Sequence, residues 1–236
     1  NQGSDGGVRF VDLNGDGYTD YVYSRSGVRK AYLNNKNGGW TSSSSYALPV
    51  DLYYEKPVSI RYSCWTEIPS IYLGAQLIDL TGDGLVDILY GRAGDRRAYI
   101  NTGSGWRRDD DYAPRHDLVN IARDEENAVR IVDVDGDGLP DYIRGYSLYA
   151  ETFSEQPVVY LNTGSGWSSS NSSSYLPKIP LVHYAYSKQR DNGVRFVDVN
   201  GDGLVDQLVG VNYNGRIRLE AYLNTGSGFS SSSSST

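Results

Sequence analysis

Apolar residues come along this chain in short runs of Val, Ile, Leu and Tyr, each closed within a few positions by Gly, Asn or Ser. No stretch repeats its apolar positions at the 3.6-residue period of an amphipathic helix, so the pattern predicts strands and turns. One order of elements recurs. A strand runs into an aspartate-rich loop, and a second leaves it, as in Tyr21-Val22-Tyr23, Ile88-Leu89-Tyr90 and Gln207-Leu208-Val209. A third strand ends in Tyr-Leu-Asn or Tyr-Ile-Asn, and a Gly-rich turn then leads to an aromatic residue and a variable outer segment. Each such unit reads as a small antiparallel sheet.

The repeat is plainest in the loops. Asp12-Leu13-Asn14-Gly15-Asp16-Gly17-Tyr18-Thr19-Asp20 returns as Asp79-Leu80-Thr81-Gly82-Asp83-Gly84-Leu85-Val86-Asp87. It returns again as Asp133-Val134-Asp135-Gly136-Asp137-Gly138-Leu139-Pro140-Asp141 and as Asp198-Val199-Asn200-Gly201-Asp202-Gly203-Leu204-Val205-Asp206. After each loop comes a second signature: Tyr32-Leu33-Asn34 with Trp40, Tyr99-Ile100-Asn101 with Trp106, Tyr160-Leu161-Asn162 with Trp167, and Tyr222-Leu223-Asn224 with Phe229. The units fall near 7–73, 74–127, 128–192 and 193–236, within one repeat domain spanning 1–236. Four sheets that cannot each bury both faces alone predict an all-β fold, a β-propeller-type array of antiparallel blades. A closed four-bladed ring, part of a larger propeller, continuation into another copy of the chain and a linear stack all satisfy the repeat. The recurring Tyr32, Tyr99, Tyr160 and Tyr222, with the recurring Trp40, Trp106, Trp167 and Phe229, predict blade-to-blade packing.

The loops carry the chemistry. Calcium is a hard cation that takes six to eight oxygen ligands from carboxylates, amide carbonyls and main-chain carbonyls. With the first aspartate as position 1, each loop offers oxygens at positions 1, 3, 5 and 9 from side chains and at position 7 from the main chain. The candidate ligands are therefore Asp12, Asn14, Asp16, Tyr18 and Asp20; Asp79, Thr81, Asp83, Leu85 and Asp87; Asp133, Asp135, Asp137, Leu139 and Asp141; and Asp198, Asn200, Asp202, Leu204 and Asp206. Up to four Ca²⁺ ions are expected, the Thr81 loop holding its ion more weakly. An EF-hand requires a bidentate Glu at position 12 between two helices. Tyr23, Tyr90, Arg144 and Val209 stand there, and the flanks read as strands, so that motif is excluded.

Charge supports a cation and excludes other partners. Nearly half of the 29 acidic residues stand in the loops, where their mutual repulsion opposes folding; four Ca²⁺ ions would reverse the net charge of −7. An acidic chain without a Lys/Arg cluster has no footprint for nucleic acid. No apolar stretch is long enough to span a bilayer as a helix. Cys64 is the lone cysteine, so neither an internal disulfide nor a Cys-based zinc site is available. His116 and His183 are the sole histidines, no nucleophile elbow is present, and the enzyme class is not expected. The absence of Met suggests a processed product or a segment of a longer polypeptide. The tracts Ser42–Ser45, Ser168–Ser170, Ser172–Ser174 and Ser230–Ser235 read as solvated loops or as O-glycosylated segments, and Asn171-Ser172-Ser173 is a lone sequon.

The Asp-x-Asn-x-Asp-Gly-x-x-Asp loop, entered from Phe10-Val11 or Leu77-Ile78, resembles the FG-GAP and VCBS repeats of integrin-type β-propellers. The Asn-Thr-Gly-Ser-Gly-Trp runs that end at Trp106 and Trp167 are similar to VCBS-like propellers of bacterial toxin-complex B components. The resemblance covers all four units, although the Gly-Ala-Pro element of integrin blades is absent. It implies that the metal stiffens a blade hairpin, that other loops bind ligands, and that the protein is secreted or displayed at a cell surface. Two functions fit it. One is a structural or adhesive module whose partners are other protein chains or copies of itself. The other is a carbohydrate-binding lectin, with glycans stacking on non-repeating aromatics such as Tyr53, Tyr54, Tyr62, Trp65, Tyr72, Tyr146, Tyr149, Tyr184 and Tyr186.

Overall fold

The computed structural model describes residues 6–55, 70–72, 74–120, 125–126, 128–148, 153–185, 188–213, 216–230 and 233–234. Tyr62, Cys64, Trp65, Tyr149 and Tyr186 lie outside them. The chain is all-β, built of antiparallel blades, and divides into two compact units, residues 1–124 and 125–236.

In the first unit, β1 (Val8–Val11), β2 (Asp20–Arg25), β3 (Val28–Asn34) and β4 (Trp40–Ser43) form one antiparallel meander. The outer segment returns as β5 (Tyr53–Glu55) and β6 (Ser70–Tyr72), with β5 joining β2 in parallel at Arg25. The second blade is β7 (Ala75–Ile78), β8 (Asp87–Arg92), β9 (Asp95–Asn101) and β10 (Trp106–Arg108), followed by a 3₁₀ turn at Asp110–Tyr112 and by β11 (Val119–Asn120). Both inner hairpins close in two residues, Ser26-Gly27 and Ala93-Gly94, all four at positive φ. That is the primed turn whose twist matches the strands.

Side chains alternate between two faces of every blade. In the first blade the front face carries Phe10, Tyr21, Tyr32 and Trp40, and the back face carries Val11, Val22, Ala31 and Leu33. The core of the unit is the back of the first blade against the front of the second. Leu13, Val22 and Ala31 pack with Ala75, Leu77, Ile88, Tyr99 and Trp106. Tyr46, Leu48, Val50 and Leu52 of the outer segment complete that core. Each fully buried aliphatic here contributes about 1.5–3 kcal/mol.

The second unit begins with the short β12 (Glu125–Glu126). Its first blade pairs β13 (Val129–Val132) with β14 (Asp141–Arg144). After β15 (Tyr146–Ser147), the strand β16 (Val158–Tyr160) completes that blade on β14. β15 pairs in parallel with β17 (Val182–Ala185), which pairs with β18 (Lys188–Asp191). The last blade is β19 (Val194–Val197), β20 (Asp206–Tyr213), β21 (Arg216–Tyr222) and β22 (Ser233–Ser234). Again the back of one blade, with Val134, Ile143 and Val159, packs on the front of the next, with Val194, Val209, Tyr222 and Phe229.

The outer segments are less variable than their wording suggests. The amides of Leu52, Leu118 and Leu181 donate to the carbonyls of Ser24, Gly91 and Gly145, docking each segment on the end of its blade. Asp51 and Asp117 accept the turn amides of Gly27 and Gly94. In the serine tracts Ser44, Ser45, Ser169, Ser170, Ser173 and Ser174 are exposed, as the solvated-loop reading expects, while other serines are built into the blades. Ser42 and Ser43 lie in β4, and the hydroxyls of Ser168 and Ser230 accept the amides of Leu161 and Leu223, each at 3.0 Å, in place of a ladder bond. Asn171 of the sequon holds its own blade, its amide donating to the Pro157 carbonyl and its carbonyl accepting from Val159.

The second glycine of Asn-Thr-Gly-Ser-Gly is required by close approach. Gly105 and Gly228 sit at positive φ, and a Cβ on Gly228 would fall well inside contact with the Ser174 carbonyl of the neighbouring blade's outer segment. Gly228→Ala is expected to lower stability by ~2–3 kcal/mol, more than Gly38→Ala, where φ is also positive but the space is open. Urea unfolding of both variants measures the difference, and equal losses would show that the close approach carries no energy.

Candidate metal centre

In every blade the first strand delivers the position-1 aspartate just beyond its end, and the second strand begins with the position-9 aspartate. Between them the loop curls around its own carboxylates. One oxygen of Asp12, Asp79, Asp133 and Asp198 accepts the amide of the position-4 glycine at 2.7–2.8 Å. The other accepts the amide of the position-6 glycine at 2.7–2.9 Å. The position-5 carboxylates of Asp16, Asp83, Asp137 and Asp202 accept the amides of Tyr18, Leu85, Leu139 and Leu204.

The position-9 aspartates form the anchor. Asp20, Asp87, Asp141 and Asp206 are all fully buried. Each accepts the position-2 amide, from Leu13, Leu80, Val134 or Val199, at 2.8–3.1 Å. Each also accepts, at 2.7 Å, the amide of the asparagine that ends the Tyr-Leu-Asn or Tyr-Ile-Asn element, Asn34, Asn101, Asn162 or Asn224. One carboxylate thus ties the loop, the second strand and the third strand's end together.

A second asparagine role joins blades within a unit. The Asn101 side chain donates to the carbonyl of Leu13 in the preceding blade's loop at 2.8 Å, and Asn224 donates to that of Val134 at 2.7 Å. Leu85 packs over Gly15 and Leu204 over Gly136 at the same junctions. Tyr46 and Tyr175 close them, their hydroxyls donating to the carbonyls of Gly103 and Gly226.

The donor set is all oxygen, which suits a hard cation. The third loop brings three carboxylates together: oxygens of Asp133, Asp135 and Asp141 lie within 4.8 Å of one another. Asp137 is outside that trio, its carboxylate on the Leu139 amide. Burial, with the Asp135 and Asp133 charges adding, pushes Asp141 up to about 7 against the amides of Val134 and Asn162. Burial and the Asp137 charge raise Asp135 as well. In the second loop burial, with Asp83 and Asp79 adding, raises Asp87 to about 6. These are negative charges without a counter-charge, the condition a bound cation relieves.

The remaining candidates are arranged differently. Asn14 and Asn200 donate to Asp16 and Asp202, and Thr81 lies beside Asp79. In the first loop Lys36 places its ammonium 3.2 Å from Asp16 and over the Tyr18 ring. Burial raises Asp16, but the Tyr18 amide, Lys36 and Asn14 outweigh it and hold the acid below its usual range. The amides of Gly203 and Gly201 likewise lower Asp198. Lys36 was not singled out from the sequence. A Lys directly after Asn34-Asn35, where the other three units read Thr-Gly-Ser after their asparagine, is the available signal.

No protein-family model matches the chain, and no curated protein matches it. Among solved structures it is similar to an Agrocybe aegerita lectin described as specifically recognising non-reducing terminal N-acetylglucosamine, at 16% identity and TM-score 0.47, covering 98% of this chain and 66% of the lectin's. It is also similar to a chain of the Photorhabdus luminescens Tc holotoxin pore, at 16% identity and TM-score 0.40, covering 100% of this chain and 12% of that one. The chain therefore spans slightly less than two thirds of the lectin chain and a small part of the toxin chain.

The raised acids set a pH dependence. Asp87 and Asp141 bind protons more tightly when folded, at about 6 and about 7, than at the ordinary 3.8. Their contribution in chelator is fully present below pH ~4 and is lost as pH rises through 6 to 7, on the order of a few kcal/mol in all. Urea unfolding between pH 4 and 8 in chelator should show that decline, with added calcium flattening it. A flat profile in chelator would contradict the assignment of these two acids.

Proposed function

We propose that this chain is a calcium-stabilised β-propeller-type repeat module with a structural or adhesive role in a secreted or surface assembly. The observation that carries this reading is the third loop, where Asp133, Asp135 and Asp141 converge around uncompensated charge. The same loop backbone recurs in every blade. A bound ion would supply positive charge and fix the loop; the protein's own contribution is the buried position-9 carboxylate and the amides that aim it. The loop wording, similar to FG-GAP and VCBS repeats, agrees with an ion that is structural rather than catalytic. His183 supports a non-enzymatic reading. It is buried, and its Nδ1 donates to Asn192 Oδ1 at 2.5 Å while the Asn192 amide donates to the Pro180 carbonyl, a role in holding the β17–β18 hairpin. Among the described residues no helix is long and apolar enough to cross a membrane.

Carbohydrate binding is the second reading, and exposed aromatic surface favours it. Phe10 is 68% and Trp40 43% exposed, and Trp40 meets Tyr21 edge-on at 4.9 Å. Such rings suit sugar faces. A glycan array probed in calcium separates the two, since a blank array leaves the structural module alone.

The leading reading is tested by heating in calcium and in chelator. At a hundredfold excess of calcium over Kd, each site adds about 2.7 kcal/mol, so the melting temperature should rise by several degrees at least. Equal melting in the two buffers would sink the proposal. Asp137→Ala and Asp202→Ala should each reduce the calcium-dependent rise by roughly one site's share, whereas the exposed Asp111→Ala should leave it unchanged.

A further inference from the structure

Seven of the nine exposed large apolar residues among those described fall on two sheet faces. Phe10, Tyr18 and Trp40 belong to the front of the first blade; Val197, Val199, Ile217 and Leu219 belong to the back of the last. Equivalent positions elsewhere are covered. Position 2 of the loop is fully buried at Leu13, Leu80 and Val134 but 47% exposed at Val199. The aromatic after the Gly-rich turn is 6% exposed at Trp167 and at Phe229 but 43% at Trp40.

Inside each unit the structure shows what covers such faces: the back of one blade takes the front of the next. Three contacts recur at that junction, and the two uncovered faces hold matching halves of them. Leu85 fills the space over Gly15 and Leu204 that over Gly136, whereas nothing stands within 4 Å of a Cβ placed on Gly201. The exposed Tyr18 occupies the loop position of Leu85 and Leu204. Asn224 donates to the carbonyls of Val205 in its own loop and of Val134 in the preceding one. Asn34 donates to the Thr19 carbonyl of its own loop, which leaves its second amide hydrogen for the carbonyl of Val199. On the aliphatic side, Val197, Leu208, Leu219 and Ala221 offer the counterpart of the Val11, Val22 and Ala31 surface that receives Leu77, Ile88 and Trp106.

We infer that the back of the last blade binds the front of the first blade of a second copy of this chain, in the blade-to-blade geometry already present within each unit. The partner is a copy because the two surfaces are different and complementary, so each molecule carries both halves of a head-to-tail contact. Uncovered apolar faces of this extent mark interaction surfaces. The inference deepens the structural-module reading but needs only the sheet faces, not the ions.

Sedimentation velocity in calcium tests it. The wild type should sediment above 26.1 kDa with a concentration-dependent distribution. Phe10→Glu blocks the front and Leu219→Glu the back, and each alone should remain monomeric. Mixed in equal amounts, they should form a two-copy species and nothing larger, because one wild-type front and one wild-type back remain. Both sites are exposed, so a wild-type circular dichroism spectrum and a cooperative thermal melt of each variant confirm folding. A wild type that stays at 26.1 kDa at every concentration overturns the inference, as do single variants that assemble like the wild type. A monomeric wild type whose melting still depends on calcium would sink this contact and leave the calcium reading standing; monomers that bind a glycan array would assign the aromatic face to sugar instead.

Discussion

A carboxylate taken wholly out of water, with two backbone amides aimed at its two oxygens, recurs at Asp20, Asp87, Asp141 and Asp206, and the rest of each blade is arranged around it. Burying an ionised acid is expensive unless it is hydrogen-bonded, and each charged hydrogen bond returns about 1.5–3 kcal/mol. The two amides come from different places: one from the loop, one from the end of the third strand. A single side chain therefore sets loop shape, hairpin register and the point where the chain turns toward its outer segment. The bonds offset desolvation only in part, and Asp87 and Asp141 remain shifted upward to about 6 and about 7. A bound cation would relieve that shift, so under the calcium proposal the structural anchor and the metal site would be one device.

The same device extends from blade to blade. Asn101 gives one side-chain amide hydrogen to the Leu13 carbonyl, while its backbone amide rests on Asp87. The Leu13 amide in turn rests on Asp20. A buried chain of bonds thus links the anchor of the second blade to that of the first, and Asn224, Val134 and Asp141 repeat it in the second unit. Networks of this kind are worth more than their separate bonds.

The hydrophobic pattern and the loop repeat carry most of the blade plan. Strands at Tyr21-Val22-Tyr23, Ile88-Leu89-Tyr90 and Gln207-Leu208-Val209 are where the short apolar runs put them, because one face of each is buried and register is then tightly specified. The position-9 aspartates were legible as a repeat but not as anchors, since spacing alone does not show which backbone amides reach them. Grouping of blades into two units was not legible, because all four units are written alike at the Tyr-Leu-Asn or Tyr-Ile-Asn element. The docking of the outer segments was not legible for a simpler reason. Their docking uses main-chain amides of Leu52, Leu118 and Leu181, which leave little trace in composition, and serine hydroxyls at Ser168 and Ser230 that stand in for a strand.

The central claim is that calcium completes these anchored loops, and amide hydrogen exchange reads it at the bonds themselves. The amides of Leu13, Leu80, Val134 and Val199, with those of Asn34, Asn101, Asn162 and Asn224, all end on the four buried carboxylates. Their exchange should slow by at least tenfold when calcium replaces chelator, with hairpin amides far from the loops changing less. Identical exchange at these eight amides in calcium and in chelator would contradict the account.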